Sequence, residues 1–278
     1  MNIINNMCWI SLLVWVAGCS PTQETTSEAP ADQEVNKGQA LVMEMIAEVG
    51  TYEELSALKD VSYTYTYRTP DGKANVSQEK YLFEGELSWA AYDTRDLRLY
   101  PDQEGRLVQG FDGSTTWTTL GGENLVGEDD INRARFSRKT NFYWFAMMHK
   151  LADPGLTYAY KGTQEVKGIT YDKVEVSFEE GVGDAQDIYL LFINPETKLV
   201  DQFLFTVKAY NRTDPLLMEV EYEEIDGLKL TTYRRYTPSN WEAEIEEETV
   251  QWVEEISENV QFNVGLTAED FELAVEEG

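Results

Sequence analysis

The sequence predicts a mainly β fold of the α+β class, built largely from short antiparallel strands. Val61, Tyr63, Tyr65 and Tyr67 alternate with Ser and Thr. This period of two is typical of a half-buried strand. Turn sequences rich in Pro, Asp and Gly, such as residues 69–73, recur between short apolar segments along the chain. Short strands at regular spacing indicate an antiparallel sandwich or barrel.

Two short helices are expected before the first strand. From Leu41 to Val49 apolar residues recur at spacings of three and four, which predicts an amphipathic helix that ends at Gly50. Thr51 and Glu54 then match a capping box, so a second short helix begins there. The predicted strands run over residues 61–67, 76–83, 87–92, 97–100, 106–111, 115–120, 157–160, 171–178, 187–193, 199–207, 216–222, 228–236 and 249–264.

The middle of the chain breaks the strand pattern. Residues 121–130 form a predicted loop that is rich in glycine and acidic residues, and residues 133–151 are predicted to be helical. Within that helix, residues 141–148 are apolar on nearly every side. Such a helix has to be buried on all sides or has to cover something apolar.

The start of the chain predicts export. A short apolar run, too short to cross a bilayer, ends in Val-Ala-Gly-Cys at residues 16–19. This resembles the lipobox of bacterial lipoproteins, although residues 1–18 contain no Lys or Arg. The resemblance implies a signal peptide over 1–18, a lipid attached to Cys19 and a location in the cell envelope at the outer membrane, on its periplasmic face or at the cell surface. In the alternative interpretation Cys19 is an ordinary core cysteine of a cytosolic protein.

The composition supports a tethered domain and limits its partners. Residues 19–38 are polar and contain Pro, Ser and Thr, which predicts a flexible tether, and residues 39–278 then form a single domain. The formal net charge of −29 repels nucleic acid and anionic lipid surfaces, so membrane attachment depends on Cys19. We interpret the acidity as a solubilising surface, and capture of cations is the alternative. We expect a monomer.

The sequence lacks recognisable catalytic chemistry. Its only histidine is His149, at the end of the predicted helix, where we expect it to face solvent or the last helical carbonyls. It contains neither a GxSxG nucleophile elbow nor a nucleotide-binding GxGxxG, and one histidine cannot form a multi-histidine metal site. Cys8 lies in the predicted signal peptide, so the mature protein has no disulfide. We therefore predict that the protein is not an enzyme and has no metal or cofactor.

Several motifs resemble the superfamily of LolA, LolB and LppX. An amphipathic helix continues into a tyrosine-rich strand over residues 52–63, and a hairpin with a tryptophan follows at 111–117. The hairpin at 193–200, the Asp-Gly turn at 225–230 and the segment 266–273 come in the same order as in that superfamily. Together these motifs span about residues 40–273.

The resemblance implies a curved antiparallel sheet that forms an incomplete barrel, with a helical lid over an apolar cavity. Residues 141–148 are the candidate lid. The protein would then bind or carry a lipid, or the acyl chain of a lipoprotein. LolA is a soluble shuttle without an anchor cysteine, so a tethered protein would be closer to LolB or LppX. The arginine that locks the lid of LolA has no assigned counterpart in this sequence.

Alternating aromatic residues are the candidate ligand site. We predict that the cavity is lined by Tyr63, Tyr65, Tyr67, Trp89, Phe203 and Phe205 from the sheet, and by Trp144, Phe145 and Met148 from the lid. The same residues could instead be ordinary core. An exposed aromatic platform would favour a third interpretation, a surface lipoprotein that binds glycans or proteins without transfer activity.

Overall fold

The computed structural model describes residues 36–179, 181, 187–208 and 212–273. The predicted signal peptide, Cys19 and nearly all of the tether lie outside the described residues. The helices are α1 (Lys37–Val49), α2 (Tyr52–Ala57) and α3 (Glu128–Lys150). The strands are β1 (Asp60–Arg68), β2 (Ala74–Leu82), β3 (Leu87–Arg95), β4 (Leu107–Phe111), β5 (Thr116–Leu120), β6 (Glu123–Asn124), β7 (Leu156–Val166), β8 (Ile169–Phe178), β9 (Tyr189–Ile193), β10 (Val200–Val207), β11 (Arg212–Ile225), β12 (Leu228–Pro238) and β13 (Val253–Phe262).

The strands form one 13-stranded antiparallel sheet in the order β6-β5-β4-β3-β2-β1-β13-β12-β11-β10-β9-β8-β7. It consists of two meanders, β1–β6 and β7–β13, that are joined where β1 pairs with β13, with Val61 opposite Phe262. The sheet is not closed into a barrel, and β6 and β7 are its two edges. The predicted fold class, an open antiparallel sheet with helices, is confirmed.

All three helices pack on one face of the sheet, which we call the helix face. Cross-strand register identifies it: Tyr63, Glu79, Ala90, Gln109 and Thr118 lie side by side on five neighbouring strands. The other face, which we call the outer face, carries the alternate residues. The residue period of two therefore decides which side chains can meet the helices.

Two core clusters fill the helix face. The larger one joins α1 and the end of α3 to the second meander, and it includes Met45, Ile46, Met147, Leu191 and Phe203. The other joins α2 and the middle of α3 to the first meander and to β12, and it includes Leu55, Tyr63, Tyr81, Phe142, Phe145 and Leu230. Helix α3 belongs to both clusters, so it ties the two meanders together.

Two irregular segments cover parts of the outer face. Residues 239–252 place Ala243, Ile245 and Trp252 against an apolar cluster that includes Phe192 and Leu204. The segment after β13 is held by the Asp60 carboxylate, which accepts hydrogen bonds from three successive backbone amides at residues 264–266. None of the described helices combines the length and the apolar composition that a membrane span requires.

The predicted strand at 97–100 is wrong. The guanidinium of Arg95 donates hydrogen bonds to the carbonyl oxygens of Leu99, Tyr100, Gln103 and Gly105, which folds this segment into a loop. Arg98 and Tyr100 have φ angles of 57° and 56°, in the left-handed region, which lies outside the conformation of a regular strand. Four backbone carbonyls gathered around one side chain cannot also pair with a neighbouring strand.

The prediction that the acidic residues at 128–130 belong to a loop is also wrong. They form the first turn of α3, where their charges lie at the positive end of the helix dipole. At the other end of the chain β13 begins at Val253 rather than at residue 249. The capping box at Thr51 and Glu54 is confirmed, since the Glu54 amide donates to Thr51 Oγ1 and the Thr51 amide donates to Glu54 Oε2.

A test of the outer face is the substitution Gly110→Ala. An added Cβ would lie 2.2 Å from Cε2 of Trp117, whose indole packs flat on the glycine. Because the ring is held by a hydrogen bond from Nε1 to the Phe271 carbonyl, we expect the change to lower the free energy of unfolding by about 1–3 kcal/mol. Urea denaturation measures it. The double variant Gly110→Ala/Trp117→Leu should lose less than the sum of the single changes, and strict additivity would contradict this packing.

Candidate functional site at the interface of helix α3 and the sheet

The second half of α3 is buried between the sheet and the other two helices. Phe142, Phe145 and Ala146 pack with α2 and the first meander, while Met147 and Met148 pack with α1 and the second meander. These contacts explain why residues 141–148 are apolar on nearly every side: the helix has protein on all of them.

Aromatic rings of the second half of α3 pack on aromatic rings of the sheet. The ring of Phe145 stacks on Tyr63, with centroids 5.0 Å apart. Trp144 lies edge-on to Phe205 at 5.2 Å and stacks on Phe203 at 6.0 Å. These offset and edge-on arrangements are the favourable ones for aromatic pairs.

The remaining predicted residues of the helix face lie in the same layer. Tyr65 packs against the cluster that contains Phe145, and Met148 is buried in the cluster that contains Phe203. Tyr67 reaches across β13 to Tyr236, with the two hydroxyl oxygens 2.5 Å apart. Burial raises the pKa of the Tyr63 and Tyr65 hydroxyls well above its usual value, so both stay neutral. Apart from Trp89, the structure thus brings the predicted residues together.

Trp89 lies on the outer face and does not belong to this site. Its cross-strand partners are Lys80 and Gly110, and the Lys80 ammonium lies 4.7 Å from the centroid of the indole ring. Ala90 and Tyr92, its neighbours in the alternation, occupy the helix face. The sequence showed that Trp89 is in a strand but not which face of the sheet the helices would cover.

Helix α3 occupies the space that the resemblance assigns to an open cavity. Two surface cavities that are present in the described part of the chain lie elsewhere. One, of about 500 Å³, lies between β3 and the loop that Arg95 organises, and the other, of about 180 Å³, lies beside Tyr171 and Gln202. An apolar site on the helix face therefore requires α3 to move away from the sheet.

A buried ion pair that the sequence analysis missed holds the first half of α3. Arg138 Nη1 lies 2.6 Å from Glu79 Oε2 and Nη2 lies 3.2 Å from Oε1, and both side chains are 0% exposed. Glu79 also accepts hydrogen bonds from the hydroxyls of Ser77 and Tyr81. Burial lowers the pKa of the Arg138 guanidinium, but the charge and hydrogen bonds of Glu79 together with Tyr92 and Tyr81 raise the pKa overall.

A second buried arginine contacts the backbone of α3. Arg234 on β12 donates from Nη1 to the carbonyl oxygen of Trp144 at 2.5 Å, and its Nη2 lies 3.0 Å from Glu255 Oε2 in an ion pair. Arg234 is the side chain that ties the sheet to the apolar half of the helix. The sequence did hold a signal for both pairs, because each has a charged residue two strand positions before a tyrosine of the helix face: Glu79 before Tyr81 and Arg234 before Tyr236.

His149 is buried, contrary to the prediction that it faces solvent or the last carbonyls of its own helix. It is 2% exposed, and its Nδ1 lies 2.8 Å from the carbonyl oxygen of Gly50, in the turn between α1 and α2. This contact ties the end of α3 to the other helices. Burial lowers the pKa of the imidazole, more than the Gly50 carbonyl and the Glu54 charge raise it. Among the described residues no group of His, Cys, Asp and Glu could hold a metal ion.

The stability of the fold should depend on the protonation of His149. Because its folded-state pKa is depressed, the unfolded chain binds the proton first as the pH falls below about 6.5. We expect the free energy of unfolding to fall from that pH down through the folded-state pKa and then to level off. His149→Asn keeps a donor for Gly50 but does not titrate. Urea denaturation at a series of pH values gives the free energy of unfolding of both proteins. The difference between wild type and variant should show this step, and an identical pH dependence in the two proteins would contradict it.

Breaking the Glu79–Arg138 pair should be costly. Either Glu79→Gln or Arg138→Met leaves a buried group without its partner, so we expect each to lower the free energy of unfolding by about 3–5 kcal/mol. The double variant Glu79→Leu/Arg138→Met removes both charges and should lose clearly less than the sum. Chemical denaturation provides the measurement, and additive losses would show that the two side chains do not act as a pair.

Comparisons with known proteins agree with this geometry. The profile of a family described as "Family of unknown function (DUF6503)" matches residues 129–238, from the start of α3 to the end of β12. Among curated proteins there is no match. A DUF1329 family protein from Desulfovibrio piger has a similar structure, with a TM-score of 0.50 and 12% identity over 84% of this chain and 97% of that one.

Two further structures are similar at slightly lower scores. A putative outer membrane lipoprotein-sorting protein domain from Vibrio parahaemolyticus has a TM-score of 0.49 and 11% identity, covering 85% of this chain and 96% of that one. A LolA superfamily protein from Nitrosomonas europaea has a TM-score of 0.47 and 11% identity, covering 85% and 97%. At such identities a likeness shows a shared fold and not a shared ligand. The protein thus shares its fold, an open antiparallel sheet with helices on one face, with the DUF1329 family protein.

Proposed function

We propose that this protein binds or carries an acyl chain, of a lipid or of a lipoprotein, on the helix face of its sheet, and that it does so without catalysing a reaction. The observation that carries the proposal is the aromatic interface between α3 and the sheet. It buries the rings of Trp144 and Phe145 against Tyr63, Phe203 and Phe205 through contacts that an alkyl chain can replace.

The exchange of α3 for an acyl chain is energetically suited to a lipid ligand. Apolar contacts are non-directional, so a chain that takes the place of α3 regains most of the burial that the helix gives up. Each methylene group removed from water contributes about 0.8 kcal/mol. The polar contacts of this half of the helix are few, and the hydrogen bond from Arg234 to the Trp144 carbonyl is the one that reaches its backbone from the sheet.

Membrane attachment belongs to the same proposal. Signal cleavage would leave Cys19 as the lipid-bearing first residue, and a tether would then lead to α1, which begins at Lys37. The domain would thus act in the cell envelope, at the outer membrane. Of the aromatic residues predicted for the site that lie on the helix face, Tyr63, Phe145, Phe203 and Phe205 are buried and Tyr65, Tyr67 and Trp144 are half-buried. This supports a lipid site over an exposed platform for glycans.

A direct test uses the chain from residue 20 onward, purified, stripped of lipid and titrated with a fluorescent fatty acid. Trp144→Glu and Trp89→Glu form a matched pair, because both tryptophans are half-buried and lie on opposite faces of the sheet. We expect Trp144→Glu to weaken binding more than about tenfold, because the displaced α3 would still cover the bound acyl chain and would present an unpaired charge to it. Trp89→Glu should bind like the wild type.

Hydrogen exchange gives an independent readout of the same proposal. Added fatty acid should speed amide exchange over residues 142–150 of α3, while the central strands stay protected. Circular dichroism and thermal unfolding confirm that both variants are folded. A stripped protein that takes up no lipid, or equal loss in the two tryptophan variants, would contradict the proposal.

A further inference from the structure

The helix face contains a buried cation whose hydrogen-bonding capacity is incompletely used. Arg234 is 5% exposed and lies beneath α3, with its guanidinium carbon 5.7 Å from the centroid of the Trp144 indole. A guanidinium has five N–H groups. Here Nη1 donates to the Trp144 carbonyl, Nη2 pairs with Glu255, and the buried Nε has no hydrogen-bond partner in the described part of the chain.

The other buried arginine of this face is differently placed. Arg138 also has a buried Nε without a hydrogen-bond partner among the described residues, but it engages both oxygens of Glu79, donates to the Tyr92 hydroxyl and is carried by α3 itself. Arg234 lies on the sheet. It pairs with one oxygen of Glu255 and donates a hydrogen bond to a helix carbonyl. When α3 moves away, Arg138 moves with it, but Arg234 stays in the exposed site and loses a partner.

Without the Trp144 carbonyl, the Arg234 guanidinium needs another hydrogen-bond acceptor. A buried cation that loses a hydrogen-bond partner is costly, and a charged oxygen is a stronger acceptor than the carbonyl it replaces. The aromatic floor of Phe203 and Phe205, which Trp144 covers in this structure, lies beside it. A charged acceptor and an apolar surface therefore become available together.

We propose that the ligand is a single-chain amphiphile with an anionic oxygen headgroup, a carboxylate or a phosphate, which binds Arg234 in place of the Trp144 carbonyl. Its alkyl chain lies on the surface that Trp144 and Phe145 leave. This inference rests on the proposed function and adds the headgroup to it. The net charge of −29 slows the approach of an anion, but salt at physiological strength screens surface charges beyond about 8 Å and leaves a buried contact largely intact.

The experiment compares three ligands with the same acyl chain: laurate, lauroyl lysophosphatidate and monolauroylglycerol, which is neutral. Each competes with a fluorescent fatty acid for the stripped chain from residue 20 onward. We expect the wild type to prefer an anionic ligand over the neutral one by about tenfold, as a charge-assisted hydrogen bond allows. Whether laurate or the lysophosphatidate binds more tightly distinguishes a carboxylate from a phosphate headgroup.

Variants assign this preference to one side chain. Arg234→Gln should abolish it, so that laurate, the lysophosphatidate and monolauroylglycerol bind this variant with similar affinities. Arg235→Gln is the matched control, because Arg235 lies next in the strand but on the outer face, where it pairs with Glu219. It should keep the preference. Glu255→Gln removes the carboxylate that competes for Arg234 and should increase the preference for anionic over neutral ligands. This variant also provides a test if Arg234→Gln does not fold.

The outcomes separate the two proposals. Equal affinity for anionic and neutral ligands, or a preference that survives in Arg234→Gln and is unchanged in Glu255→Gln, overturns the headgroup assignment while acyl binding stands. If none of the three ligands binds, the proposed function itself fails.

Discussion

The pairing of β1 with β13 is the contact on which the rest of the structure depends. Every other strand pairs with a neighbour in sequence, whereas Val61 and Phe262 come from opposite ends of the described chain. This pairing merges two meanders into one sheet, and it leaves β6 and β7 as edges that only α3 connects. Because its ends are fixed at those two edges, α3 has to cross a face of the sheet, and that face becomes the core.

Crossing this face imposes two different requirements on one helix. Its first half meets strands whose inward side chains include Glu79 and Gln109, so it carries Arg138 and makes a buried ion pair with both oxygens of Glu79. Residues 142–148 of its second half meet aromatic and aliphatic residues. The first half is held by directional contacts that are costly to break, whereas residues 142–148 are held mainly by contacts that another apolar group can replace. The helix end is fixed by the hydrogen bond of His149 and the ion pairs of Lys150. The difference is what makes the second half the candidate for exchange with a ligand.

Much of the fold could be predicted because its signals are local. The alternation of Val61, Tyr63, Tyr65 and Tyr67, the capping box at Thr51 and the break at Gly50 each depend on residues close in sequence, and the structure has these elements where they were predicted. The segment at 97–100 was misjudged because its conformation depends on one side chain, Arg95, outside it. The burial of His149 depends likewise on Gly50, which is distant in sequence.

The sequence by itself determined most of the secondary structure, the antiparallel β class and the apolar character of residues 141–148, because residue period and turn chemistry act over a few neighbouring positions. That the sheet is open was expected only from the resemblance to the LolA superfamily. Only the tertiary structure decided which face of each strand meets the helices. That choice separates Trp89 from Trp144, and it pairs Glu79 with Arg138 and Arg234 with Glu255. Alternation along a strand is symmetric between its two faces, so nothing in one strand distinguishes them until the chain brings a helix to one side.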